Sequence, residues 1–338
     1  MIRRLLISGA AVGALFAAAA PAALAADGQL KVVDRVAGPD GGWDYASYDA
    51  ARHRVYVAHG TTVLSLDVAT NKLNPDFAAG DRLHAVVPVP GSSVIVTTNS
   101  GDNTAKILNA ADGKLIKALT VASDADGAAY DPATKLVVVI NGDAGVLTLV
   151  DPAAKSVVGT INVGGALEFG QPDGKGRFYV NVESAGEVVA VDLVQRKVLA
   201  HYAMADCKRP TGLAYVEGNR IVSSCNNLAK ILDAATGHEI ASLKIGGFPD
   251  AVIYDPERHI AMIPTALDGQ LNVIALSGPD NNKIVATIPT QIGARTGAVD
   301  PATGRVYLPT AEYILPVPAG QRPQTKPGTF QILVLDRK

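Results

Sequence analysis

A repeat of about 40 residues constrains this chain more than any other feature. Its plainest copy runs Asp126-Gly-Ala-Ala-Tyr-Asp-Pro-Ala-Thr-Lys-Leu-Val-Val-Val-Ile-Asn141 and continues from Leu147 to Ile161. It reads as strand, Asp-Pro turn, strand, loop, strand, turn, strand. The positions that open the copies are Asp44, His84, Asp126, Glu168, Thr211, Asp250 and Arg295, spaced 40, 42, 42, 43, 39 and 45 residues apart. Four short strands recurring at that period are the pattern of propeller blades, because one blade alone cannot bury both of its faces. The spacing therefore predicts an all-β fold: a seven-bladed β-propeller of four-stranded antiparallel blades over residues 27–338. A two-sheet sandwich would not need one motif seven times.

The turns carry the same message. Asp131-Pro132, Asp255-Pro256 and Asp300-Pro301 follow first strands, where proline presets the turn backbone and the aspartate can hydrogen-bond to it. Between third and fourth strands, Asn71, Gly113 and Gly237 stand where a positive φ is wanted. The last copy stops after three strands, interrupted by a proline-rich insertion over residues 313–328. An orphan strand pattern near Leu30 to Val36 is left to complete it. Closure of the ring by the N-terminal strand is predicted, since it removes the exposed edges of a linear array.

Gly176-Arg-Phe-Tyr-Val-Asn-Val, Val137-Val-Val-Ile-Asn-Gly-Asp143 and Gly304-Arg-Val-Tyr-Leu-Pro-Thr-Ala-Glu312 resemble the YVTN-type propellers and their YncE-like periplasmic relatives. The resemblance covers essentially all of the chain after its leader. It implies the propeller fold and leaves function open, because that group spans binding proteins, surface-layer proteins and domains related to lactonases and to quinoprotein or haem d1 enzymes. The Gly-His and Trp-Asp signature of WD40 blades is absent; Trp43-Asp44 is a single occurrence at another place in the blade.

Residues 1–26 read as a secretory signal: Arg3-Arg4, an apolar run from Leu5 to Ala20, and small residues up to Ala23-Leu24-Ala25. The run's alanines and glycines and its end at Pro21 fit a leader better than a membrane anchor. General secretion fits better than the twin-arginine route. The expected destination is the periplasm or the exterior, with no membrane span in the mature chain and a monomeric state. Cys207 and Cys225, the two cysteines, fall on one face of the fifth blade, and a disulfide is expected there; two free thiols or a metal site are the alternatives. No Cys-x-x-Cys-His occurs, so c-type haem is excluded. Of the 30 basic residues two lie in the leader, against 32 acidic ones, so nucleic acid is not an expected partner.

In an up-and-down blade the loops after the second and fourth strands share one face, and the first strand lies innermost. The seven opening residues therefore form one polar ring at the channel mouth. Four acids around one axis are costly unless water, Arg295 or a cation compensates them. Three readings stay open: a water-filled channel, a metal site, and a metal-free acid–base site. For a metal, Asp44, Asp126 and Asp250 are the candidate ligands of Ca²⁺ or Mg²⁺, and His84 would admit a transition metal. For acid–base chemistry the candidates are His84, Glu168 and Arg295. Glu312 is placed near the ring at the base of the insertion, itself either a tolerated surface loop or a lid. His59 and His201 are expected to be loop or surface residues. The leading reading is a module that binds a small molecule, peptide or protein on the loop-rich face. The alternative is a lactonase-like hydrolase or lyase, metal-assisted or not.

Overall fold

The computed structural model describes residues 29–278, 281–316 and 323–337. The leader read over residues 1–26 lies outside these, as do residues 317–322 of the insertion. The described residues form twenty-eight strands in seven four-stranded antiparallel sheets, without a helix. Blade 1 spans Ala46 to Ala79, blade 2 Leu83 to Thr120, blade 3 Ala125 to Asn162 and blade 4 Leu167 to Ala203. Blade 5 spans Leu213 to Lys244 and blade 6 Ile253 to Pro289. Blade 7 takes its three inner strands from Ala298–Asp300, Arg305–Thr310 and Gln331–Arg337, and its outer strand from Leu30–Ala37. This is the expected closure. The N-terminal strand pairs antiparallel with the C-terminal one from Leu30 opposite Arg337 to Ala37 opposite Gln331, with one irregularity between Val32 and Asp34.

Alternation along each strand sends side chains to both faces of its sheet, and both faces are covered by neighbouring blades. The core is accordingly divided into seven apolar clusters, each between two adjacent blades. Val55, Val57, Leu64 and Leu66 of blade 1 pack on Tyr307, Ile332 and Val334 of blade 7. On the other side of blade 7, Val306, Leu308, Leu333, Leu335 and Leu30 meet Ile260, Met262 and Leu271 of blade 6. Burial of each such side chain is worth about 1.5–3 kcal/mol.

The turn chemistry follows the sequence. Asp131 Oδ2 accepts hydrogen bonds from the Thr134 amide at 2.9 Å and hydroxyl at 2.7 Å. Asn71, Gly113 and Gly237 have φ of 54°, 72° and 74°. Some turns also bind the next blade: the Arg52 and Arg258 guanidinium groups donate to the carbonyls of Ser92 and Pro301 at 2.8 and 2.9 Å.

Cys207 and Cys225 form a disulfide, with sequence separation 18, at the entrance to blade 5. Closing a loop of that length removes denatured-state entropy equivalent to about 3 kcal/mol. Reduction of the folded protein is expected to lower Tm by roughly 5–10 °C, checked by melting it with and without reductant beside Cys207→Ser/Cys225→Ser. Deleting residues 29–37 exposes the edge of the C-terminal strand and uncovers Leu333 and Leu335. Loss of soluble protein or a Tm lower by more than roughly 10 °C is expected; an unchanged melting curve would show that the strand does not hold the ring closed.

Candidate functional site

All seven ring residues occupy equivalent places, just before or at the start of their inner strands, and all seven are partly buried. Side-chain donors stitch this level from blade to blade. The Thr296 hydroxyl donates to the Asp44 carbonyl at 2.8 Å, and the Thr211 hydroxyl to the Pro249 carbonyl at 2.8 Å. Asn181 Nδ2 donates to the Thr211 and Gly212 carbonyls at 2.8 and 3.1 Å, and the Thr98 hydroxyl donates to the Asp126 carbonyl. Adjacent inner strands run so close that a Cβ added to Gly212 would lie 2.5 Å from the Ala251 carbonyl carbon. The small residues that follow most ring positions are explained by that approach.

The charges sort into two groups and a remainder. His84 Nδ1 lies 2.7 Å from Asp44 Oδ2 and 3.0 Å from Asp126 Oδ1, and its Nε2 lies 2.9 Å from Ser100 Oγ. Burial by itself would favour the neutral imidazole, but hydrogen bonds to Asp126 and Asp44 outweigh it and push His84 up to about 10. It is an imidazolium shared by two carboxylates. Arg295 Nε donates to Asp250 Oδ2 at 2.9 Å; the same guanidinium reaches the Trp43 carbonyl and lies 4.7 Å from the centre of the Trp43 ring. Burial raises Asp250 to about 7 even with Arg295 opposing. Burial also raises Asp44, with the hydrogen bond from His84 opposing.

Glu168 is the remainder. No cation and no hydrogen bond reaches its carboxyl among the described residues. Burial, then the charges of Asp126, Asp250, Glu183 and Asp44, push it up to about 10, so it is a neutral acid at pH 7.

Two aromatic side chains meet in the channel one residue below the ring. Tyr45 of blade 1 and Phe169 of blade 4 follow Asp44 and Glu168, and their ring centroids are 4.5 Å apart at 38°. Blades 1 and 4 are three apart, the greatest separation a ring of seven allows, so the pair crosses the axis. The pair narrows the channel at this level, which gives the loop-side mouth above the ring the form of a cup. Burial and then the charges of Asp250, Glu168, Asp126 and Asp44 raise the Tyr45 phenol. The sequence held this signal: the corresponding residues elsewhere are Ala85, Gly127, Gly212, Ala251 and Thr296, and only Tyr45 and Phe169 are bulky.

Other candidates fall differently. Ligand atoms of Asp44, His84 and Asp126 lie within 4.8 Å of one another, so these three could hold a metal ion, whereas Asp250 is drawn to Arg295. Any ion at the first three must displace the imidazolium proton. Thr211 is spent on the Pro249 carbonyl. Glu312 is exposed and paired with Lys326 at 3.2 Å; Tyr313, next to it, is the residue that faces Arg295. The stem of the insertion is a short hairpin, with Tyr313 bridged to Thr325 and the Gly328 amide 2.7 Å from Asp40 Oδ1. His59, expected on a surface loop, is buried and sits edge-on to Phe330 at 4.6 Å, because the Gly38–Trp43 segment folds over it. His201 is exposed and pairs with Glu187 at 2.9 Å. The turn face carries an open groove of about 660 Å³ lined by Tyr48, His53, Glu257, Arg258 and Asp300 among others.

No protein-family model and no curated protein matches this sequence. Solved structures are similar in fold. A chain of the Kuenenia stuttgartiensis hydrazine synthase has TM-score 0.70 at 15% identity, over 81% of this chain and 92% of that one. A chain of a mitotic checkpoint complex has TM-score 0.73 at 12% identity, over 99% and 98%. U3-55K has TM-score 0.74 at 10% identity, over 92% and 99%. At these identities the likeness is one of fold, and it agrees with the seven-bladed propeller.

Glu168 gives this geometry a pH signature. A carboxyl raised above its ordinary value favours the folded state fully below about 4.5, and that contribution is lost as pH rises through about 10. Glu168→Gln keeps the neutral shape without the linkage. Its Tm is expected to match wild type near pH 4.5 and to exceed it by up to about 9 °C at pH 9. A difference independent of pH would show that Glu168 does not titrate as its surroundings require.

Proposed function

We propose that the protein is an exported binding module that receives a small polar molecule or the tip of a peptide in the cup above the ring. The observation that carries this reading is the Tyr45–Phe169 pair, which narrows the channel beneath the seven polar residues and makes them the floor of a cup. That floor offers groups of different character side by side: the imidazolium of His84, the guanidinium of Arg295, and the neutral, unpaired acid of Glu168. Convergent polar groups on an enclosed floor are what fix a ligand's orientation. The disulfide is consistent with an oxidising compartment, and the leader and the YVTN and YncE-like resemblance support export. The neighbours in fold include a part of an enzyme and a part of an assembly, so the argument rests on the site and not on the fold.

A second reading, a metal-assisted hydrolase acting on a lactone, is favoured by one observation: the ligand atoms of Asp44, His84 and Asp126 converge within 4.8 Å. The two readings separate in one set of measurements. For the binding module, a panel of amino acids, sugars and short peptides is expected to contain members that raise Tm. A ligand at 100 times its Kd adds about 2.7 kcal/mol, and Glu168→Gln is expected to diminish the response. A ligand that shifts both proteins equally sits elsewhere. For the hydrolase, equilibrium dialysis would find stoichiometric Ca²⁺, Mg²⁺ or Zn²⁺ lost in Asp126→Asn, with lactone turnover lost alongside it.

A further inference from the structure

Exposed large apolar side chains on this molecule are mostly dispersed. Val33, Leu115, Ile116, Val157, Leu199, Ile240 and Val285 lie on the outer strands of six blades, one or two to a blade. Five others are gathered on one side of the cup. Phe248, Leu267, Ile292, Ile314 and Leu315 are 45%, 50%, 36%, 51% and 58% exposed, and all stand on the loop-side connections of blades 5 to 7.

Backbone contacts link the loops of the first three, and Tyr313, beside Ile314, stands against Gly293, beside Ile292. The Ala266 amide donates to the Phe248 carbonyl at 3.2 Å and the Leu267 amide to the Gly247 carbonyl at 3.2 Å. The Gly293 amide, beside Ile292, donates to the Ala266 carbonyl at 2.9 Å, and the Ile314 amide to the Gln324 carbonyl at 2.8 Å on the hairpin that follows. A contiguous apolar surface of this kind, rimmed by charge, marks an interaction site, whereas single exposed apolar residues do not.

The charge around the rim limits what can cover it. On the loops of this face Asp40, Asp206 and Asp268 on the side of the rim, and Asp81, Asp124 and Asp143 across the mouth, have no ion-pair partner among the described residues, against Arg82 and Lys208 among the basic ones. Arg209, Arg295 and Lys326, on the same face, are already held by Glu183, Asp250 and Glu312. An anionic lipid surface or a nucleic acid would meet repulsion here, and a second copy of this chain would bring two acidic faces together. A partner bearing both apolar and basic side chains meets attraction at both.

We propose that the rim formed by Phe248, Leu267, Ile292, Ile314 and Leu315 docks a basic, apolar segment of a partner polypeptide, whose apolar side chains cover the rim while a lysine or arginine reaches over it to Glu168. The proposal rests on the binding reading of the cup and names its ligand class. Glu168 is the natural end point, being the ring acid that no cation of this chain reaches among the described residues. The apolar contact supplies affinity, and the surrounding acids supply steering and the choice of a basic partner.

The test uses the full mature chain and three fluorescein-labelled ten-residue peptides: alternating leucine and lysine, alternating leucine and glutamate, and alternating serine and lysine. Fluorescence anisotropy is expected to show the leucine–lysine peptide binding at least tenfold tighter than either of the others. Leu267→Asp/Leu315→Asp, whose positions are exposed and leave the core intact, is expected to weaken it at least tenfold. Glu168→Gln is expected to weaken it at least threefold. Leu115→Asp, at an exposed apolar position on an outer strand, is expected to leave it unchanged.

Equal binding of the leucine–glutamate peptide, equal binding of the serine–lysine peptide, equal loss in Leu115→Asp, or no binding at all would overturn the proposal. So would adsorption of the protein to vesicles of anionic phospholipid that Leu267→Asp/Leu315→Asp abolishes, which would make the rim a membrane contact. If the peptides fail while small polar ligands still raise Tm in a Glu168-dependent way, the docking surface falls and the cup reading stands. Failure of both removes the two together.

Discussion

The pairing of the N-terminal strand with the C-terminal strand is the interaction on which the rest of this molecule depends. Each blade buries its faces only against its neighbours, so an open array would leave two blade faces bare, and only a closed ring satisfies all seven. The strand Leu30–Ala37 achieves this by ladder bonds and also by placing Leu30 in the cluster between blades 6 and 7. Closure fixes the radius of the inner strands. It is this radius, and no property of any one blade, that brings residues 82 apart in sequence, Asp44 and Asp126, to the same nitrogen of one imidazole.

A ring so small forces an electrostatic settlement. Four carboxyls facing one another below the level of bulk solvent cannot all ionise freely, and the chain answers with two different devices. Cations are set between acids, His84 between Asp44 and Asp126 and Arg295 on Asp250. The fourth acid, Glu168, keeps its proton instead. The difference matters for function. A paired carboxylate has its partner already and gives up little to a newcomer, whereas a protonated acid at the mouth of a cup can donate a hydrogen bond, or release its proton to solvent as a cation arrives.

The fold was legible in the sequence because it rests on repetition, which a single sequence displays: the period, the Asp-Pro turns and the missing strand all followed from comparing the chain with itself. The disulfide followed from the same register. The site was legible only in part. Listing the ring residues required the register alone, but which of them touch depends on side-chain reach across the axis, so Asp250 could not be separated from Asp44 and Asp126 as a ligand set. The aromatic contact in the channel was readable and missed, since Tyr45 and Phe169 break a run of small residues at one repeat position. The burial of His59 was not readable, because the Gly38–Trp43 segment that covers it belongs to the irregular closing connection and has no counterpart elsewhere in the chain.

The breaks in symmetry converge on one side of the molecule. Blade 7 is assembled from both termini, contributes Arg295 to the ring, and carries the insertion, which is tied back to the N-terminal segment where the Gly328 amide meets Asp40. Tyr313 at the insertion's base faces Arg295, and Ile314 and Leu315 stand on the rim. A ligand seated there would lie on the hairpin that the Gly328–Asp40 contact ties to the N-terminal segment, and so would favour the closed ring. Binding that favours the closed form stabilises closure by up to RT ln(1 + L/Kd), with L the free ligand concentration. The seam that makes the propeller possible is thus also where a partner would have most leverage on it, which a site placed on the self-contained blades 2 to 4 would lack.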